Sequence, residues 1–158
     1  MRPDVKEFWK TLGTRAIGMT IVTARGADGA AGFVGLSAAH VSADPPTMLV
    51  SIDRKTSALA PILESRHFAI NYLAKGQERL AELFGRRTAD YAERFSSPDW
   101  TSLETGAPVL STALGAFDCA LDRTVELPDT VIAIGKVVGW FASETGDPLI
   151  FFRGKVLG

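Results

Sequence analysis

Strand-like segments in this chain follow one another directly instead of alternating with long helices, and that pattern restricts the fold more than any other feature. From residue 109 onward three runs read as long strands: VLSTALGAFDCALDRTVEL, TVIAIGKVVGWFAS and PLIFFRG, separated by Pro128-Asp129 and Gly146-Asp147-Pro148. They predict a β-meander. Upstream, RAIGMTIVTAR at 15–25 alternates Ile17, Met19 and Ile21 against Gly18, Thr20 and Val22, and the GADGAAG that follows tolerates positive φ. A strand entering a tight turn is expected there. Strands over 33–41 and 47–53 flank Asp44-Pro45-Pro46, and HFAINYL at 67–73 returns to period two. Consecutive strands without crossover helices imply an antiparallel sheet, and six to seven in one small domain predict closure into a barrel.

The helical segments are few and short. Val5, Phe8, Trp9 and Leu12 recur at i, i+3, i+4 and i+7, with Asp4 and Glu7 spaced as a capping box and Gly13 as a stop, which predicts an amphipathic helix over 4–13. A second helix is expected over 57–65, capped by Thr56 or Ser57, with Pro61 tolerated only near its first turn. Leu80, Leu83 and Phe84 share one face of a third over 76–86, and Tyr91 with Phe95 continues the stripe into a fourth. Glu78, Arg79, Glu82, Arg86 and Arg87 read as a solvated face. The fold class is therefore mainly β with peripheral helices.

With 158 residues, 46% of them apolar, the chain is long enough for one core, and no linker or repeat divides residues 1–158 into more than a single domain. A net charge of −1 gives no reason to expect nucleic acid or an acidic membrane surface as partner. No apolar run reaches the length of a spanning helix, MRPDVKEFWK lacks the apolar stretch of a signal peptide, and a single cysteine excludes an intrachain disulfide. A cytoplasmic setting without membrane association is the expectation. One cysteine with two histidines, His40 and His67, cannot build a Cys/His zinc cluster, so no metal is expected.

Several catalytic motifs fail on inspection. Gly13 to Thr20 has P-loop spacing, but Met19 stands where the phosphate lysine belongs and the segment enters a strand. Gly26, Gly29 and Gly32 read as turn residues, no Gly-x-Ser-x-Gly elbow exists, and Cys119 alternates with Phe117 and Leu121 as a buried small hydrophobe would. Two segments remain. Asp53-Arg54-Lys55-Thr56-Ser57 leaves a strand with two cations and two hydroxyls, a donor set suited to a phosphate monoester and equally to an N-cap beside a solvated charge pair. Gly35-Leu36-Ser37-Ala38-Ala39 is a run of mostly small residues that lets backbone approach a flat ligand, or a neighbouring element pack closely.

Taken in order, FWKTLGTRAIGMTIVTA, GFVGLSAAHVSADPPTMLVSIDRKTS, HFAINYLAKGQERLAELF, TGAPVLSTALGAFDCAL, IAIGKVVGW and DPLIFFRGK resemble the flavin reductase family, the small reductase components of two-component flavin monooxygenases. The resemblance implies an FMN-binding split β-barrel of antiparallel, Greek-key strands, a homodimer, and one FMN per subunit, with FAD as the alternative flavin. It places Val34, Leu36, Ser37, Ala38 and Ala39 along the ring and ribityl chain, Asp53, Arg54, Lys55, Thr56 and Ser57 around the phosphate, and Phe84 and Gly85 near the phosphate end. NADH or NADPH would donate hydride, with Thr130 and Arg153 as candidate nicotinamide-nucleotide contacts. No acid, base or covalent nucleophile is required, so no catalytic side chain is assigned. The family usually has hydroxyl side chains where Val34 and Leu36 stand, a histidine at Thr130 and a tyrosine at Val156. The implied function is an NAD(P)H-dependent flavin reductase feeding an oxygenase; the alternatives are an FMN-holding electron carrier and a non-catalytic flavin-binding module.

Overall fold

The computed structural model of the chain describes residues 1–85 and 91–157. Helix α1 (Val5–Leu12) precedes β1 (Ile17–Gly18), β2 (Thr20–Gly26), β3 (Gly29–Gly35), β4 (Ala38–Ala43) and β5 (Pro46–Asp53). Then come α2 (Leu59–Ser65), β6 (His67–Tyr72), α3 (Glu78–Gly85), α4 (Tyr91–Arg94), β7 (Trp100–Thr101) and β8 (Val109–Leu110). The long hairpin β9 (Gly115–Glu126) and β10 (Thr130–Ala142) is followed by β11 (Ile150–Phe152) and β12 (Lys155–Leu157).

Seven strands form one sheet in the order β3-β2-β6-β9-β10-β5-β4, with every neighbouring pair antiparallel. The sheet is open: its edge strands, β3 and β4, do not pair with each other, which corrects the expectation of a closed barrel. These edges are consecutive in the chain, so Leu36-Ser37 spans the split between them. The strand expected over 33–41 is accordingly two strands, broken where the chain crosses from one edge to the other. Beyond Val50, the partner of Ala38, strand β5 runs on through Ser51, Ile52 and Asp53 without a β4 neighbour. That leaves an open edge facing the split.

Alternation along β5 and β10 turns Val50, Ile52 and Val131 inward to pack with Val22, Phe68 and Ile70, while β2 and β6 are buried on both faces and Ile21 joins a second cluster with Met19 and Phe84; Ile21, Val22, Val50, Ile52, Phe68, Ile70 and Val131 are all at 1% exposure or less. Each such side chain contributes about 1.5–3 kcal/mol relative to exposure. Asn71, also fully buried, accepts from the Leu110 amide at 2.8 Å and donates to the Ile21 carbonyl at 3.1 Å, which satisfies its amide inside the core. His67 lies in β6 with its ring nitrogens 3.0 and 2.9 Å from the Ser65 and Thr105 carbonyls, a structural position. Cys119 is fully buried; burial first, and the Asp118 carboxylate second, push its thiol up to about 12.

Local differences from the sequence reading have identifiable causes. The first turn is only Ala27-Asp28, with Gly26 opposite Gly29, so GAAG belongs to β3. Gly29 has φ +117, but Gly32 is a strand residue kept small by the ring of Phe84. Helix α2 starts two residues late, capped by Ala58 without a side-chain hydrogen bond, because Thr56 closes a turn with its amide on the Asp53 carbonyl at 2.9 Å. The meander holds for β9 and β10 only: β11 leaves to join β1 and β12 in a separate three-stranded sheet. In α1 the Asp4 carboxylate caps the Glu7 amide at 2.8 Å as expected, yet Val5, Phe8 and Trp9 remain more than half exposed. The expected positions Arg86 and Arg87 lie outside the described residues.

Candidate functional site

The split in the sheet opens into a cavity of about 470 Å³. Gly32, Phe33 and Val34 of β3 form one wall, Asp53 at the end of β5 and Lys55, Thr56 and Ser57 of the following loop form another, and Phe84, Gly85 and Arg94 close it. The segment singled out from sequence for a phosphate therefore faces Val34, the first of the residues expected along the ring, across the sheet opening, while Leu36, Ser37, Ala38 and Ala39 lie outside this cavity.

The loop is held in shape by its own backbone. The Asp53 carboxylate accepts the Lys55 amide at 2.8 Å, the Asp53 carbonyl accepts the Thr56 amide, and the Thr56 carbonyl accepts the Leu59 amide at 3.1 Å. Lys55, Thr56 and Ser57 are thus presented at the cavity by a turn built from the Asp53 carboxylate and main-chain groups. Arg54 turns the other way. Its amide donates to the Asp129 carbonyl at 3.1 Å, its Nε donates to the Leu127 carbonyl at 3.0 Å, and its guanidinium lies 3.7 Å from Glu126. This side chain ties the loop to the β9–β10 hairpin and does not line the cavity.

Phe84 serves both the core and the cavity wall. It is 3% exposed, meets Phe95 edge-on at 5.1 Å and Trp100 at 5.6 Å, and carries the Arg94 guanidinium 5.5 Å above its ring. Arg94 is itself buried, and donates to the Gly32 carbonyl at 3.1 Å and the Leu83 carbonyl at 3.2 Å. Sequence reasoning missed Gly32, Phe33 and Arg94. The available signal for Arg94 was a cation placed three residues after Tyr91, within the apolar stripe that Tyr91 and Phe95 define.

Leu36, Ser37, Ala38 and Ala39 line a second cavity of about 490 Å³ together with Leu12, Arg15, Ala16, Ile17 and Gly18. An adjoining space of about 310 Å³ shares Leu12, Arg15, Ile17, Leu36 and Ser37 and adds Trp9, Gly13, Phe151 and Gly154. Val34 and Gly85, which line the first cavity, also border an apolar hollow with Leu36, Phe151 and Val156. Residues 32–34 and 36–39 thus line adjoining spaces, the first facing the polar, cationic loop of Lys55, Thr56 and Ser57 and the second apolar around Leu36.

The remaining expected residues lie off this wall. Thr130 starts β10 opposite Asp53 and donates to the Asp129 carboxylate at 3.2 Å, so it belongs to the loop end. Arg153 occupies the β11–β12 turn with φ +51, donates its amide to the Gly13 carbonyl at 2.9 Å, and stacks its guanidinium 5.1 Å above Phe152.

The open antiparallel sheet is the fold of solved flavin reductases. The chain belongs to the family of the flavin reductase like domain, whose model matches residues 12–158. FMN reductase (NADH) RutF 2 of Rhizobium rhizogenes is 36% identical over 152 residues, covering 95% of this chain and 87% of that protein. FMN reductase (NADH) RutF of Ancylobacter novellus is 38% identical, covering 87% and 75% respectively. Among solved structures, BorF, the flavin reductase component of a bacterial two-component tryptophan halogenase, superposes with a TM-score of 0.90 at 30% identity, covering 98% of each chain. The NADH:FAD oxidoreductase SgcE6 of Streptomyces globisporus C-1027, in complex with NAD and FAD fragments, gives a TM-score of 0.89 at 26% identity, covering 98% of this chain and 92% of that one.

Proposed function

We propose that this protein is an NADH-dependent FMN reductase that releases reduced flavin to a separate oxygenase and works as a homodimer. The observation that carries the reading is the meeting of Lys55, Thr56 and Ser57 with the β3 wall at the split of the sheet. The donor set fits the group: an ammonium and two hydroxyls suit a terminal phosphate, while Val34, Leu36, Ala38 and Ala39 offer apolar or small surfaces to a flat ring. FMN, when bound, supplies the two-electron hydride acceptor.

The protein's share of the reaction is positioning. Lys55, Thr56 and Ser57 hold the phosphate, Phe84 and Arg94 keep that wall rigid, and the small residues at 38–39 let the backbone approach the ring. Val34 and Leu36 shed water from the reacting face, which strengthens the electrostatic contacts within it. FMN is favoured over FAD because the relatives of 36–38% identity are named as FMN reductases. The exposed stripe of Val5, Phe8 and Trp9 on α1 supports a second copy as its cover.

Steady-state NADH oxidation with FMN, FAD or riboflavin as acceptor tests the reading, alongside light scattering for the dimer. FMN-dependent turnover with a low micromolar KM supports it; absence of flavin-dependent oxidation defeats it.

A further inference from the structure

Neither of the two residues expected to meet the nicotinamide nucleotide lines the apolar end of the groove, although Arg153 adjoins it through Gly154 and its bond to the Gly13 carbonyl. Thr130 is at the loop end opposite Asp53, and the Arg153 guanidinium is laid over Phe152. The cation that is at this end is Arg15. It lines both the cavity of about 490 Å³ and the adjoining one of about 310 Å³, beside Leu36 and Ser37, and no other Lys or Arg among the described residues lines either space.

Arg15 is exposed, its amide donates to the Leu12 carbonyl at 3.2 Å, and its guanidinium makes no ion pair among the described residues. A fork of donors at the rim of an otherwise apolar groove attracts an anion, and the apolar floor of Leu12, Ile17 and Phe151 suits a flat ring beside it. We infer that Arg15 binds the diphosphate of the nicotinamide dinucleotide and so sets the affinity for the hydride donor. This rests on the reductase reading proposed above. It also explains how the chain can lack the family's histidine at Thr130: the dinucleotide is held by charge from the β1 side of the groove.

The test compares wild type, Arg15→Ala and Arg15→Lys in NADH KM, kcat and FMN affinity, with NADH binding measured separately by calorimetry at low and high ionic strength. Arg15→Ala should raise the NADH KM and dissociation constant about tenfold or more while FMN affinity stays within about twofold. Arg15→Lys should recover part of the loss, and added salt should weaken NADH binding to wild type more than to Arg15→Ala. Because Arg15 is exposed and its side chain holds no other element, the variants should melt with wild type. Unchanged NADH binding in Arg15→Ala, or a loss confined to FMN affinity, overturns the inference, as does a wild type that binds no NADH. A wild type that binds NADH through Arg15 without reducing FMN defeats the reductase reading instead.

Discussion

A Cβ placed on Gly32 would lie 2.8 Å from Cε1 of Phe84 and 3.1 Å from the Val22 carbonyl oxygen. The ring cannot retreat easily, since Phe95 and Trp100 pack against it and Arg94 lies over it. Gly32→Ala should therefore destabilise the fold by about 1–3 kcal/mol and weaken FMN binding by distorting the cavity wall. Urea unfolding and FMN fluorescence quenching check the two effects; a silent substitution would mean that Phe84 is free to move.

Removing the loop hydroxyls separates phosphate recognition from ring recognition. Thr56→Ala with Ser57→Ala should weaken FMN binding by about 1–3 kcal/mol and leave riboflavin, which has no phosphate, nearly unaffected. Fluorescence titrations with both flavins decide it. Equal losses for the two would place the phosphate elsewhere.

Arg54 should act on the loop without touching the ligand. Its pair with Glu126 is solvent-exposed, so Glu126→Gln should change stability by less than about 0.5 kcal/mol. Arg54→Ala also loses the bond to the Leu127 carbonyl and should weaken FMN binding more than Glu126→Gln does. Hydrogen exchange at residues 126–130 should rise in Arg54→Ala alone; equal rates in both variants would contradict a tethering role.

Cys119 gives a pH signature. Its native value near 12 lies above the ordinary 9.0, so the folded state holds the proton more tightly. The stability this contributes is complete below about pH 9 and is lost as pH rises toward about 12. Urea midpoints should fall over that range more in wild type than in Cys119→Ala, and native protein near pH 8 should resist thiol reagents that modify the unfolded chain. Rapid native modification would contradict the burial of the thiol.

Much of this architecture was legible because strand alternation and breakers are local signals. Asp4 capping α1, Pro128-Asp129 ending β9, and Cys119 turned inward all follow from residues within a few positions of each other. What stayed hidden depends on distant partners. Nothing near Leu36-Ser37 marks the crossing between edge strands, because the break exists only once β4 pairs with β5 and β3 with β2. Arg54 and Lys55 are adjacent cations with the same local chemistry, and it takes the distant β9–β10 hairpin, through Glu126 and the Leu127 carbonyl, to turn one away from the cavity. Gly32 looked like turn chemistry since Phe84, its reason for being small, lies more than fifty residues further on.

Hydride transfer from NADH to FMN held at the split of the sheet can be watched in an anaerobic visible spectrum of the protein with stoichiometric FMN, before and after NADH. The flavin spectrum should be perturbed and should bleach rapidly on adding NADH, with slower bleaching in Thr56→Ala with Ser57→Ala at limiting FMN. A perturbed spectrum that stays oxidised would contradict the reductase and leave a flavin carrier or binding module; an unperturbed spectrum would contradict flavin binding itself.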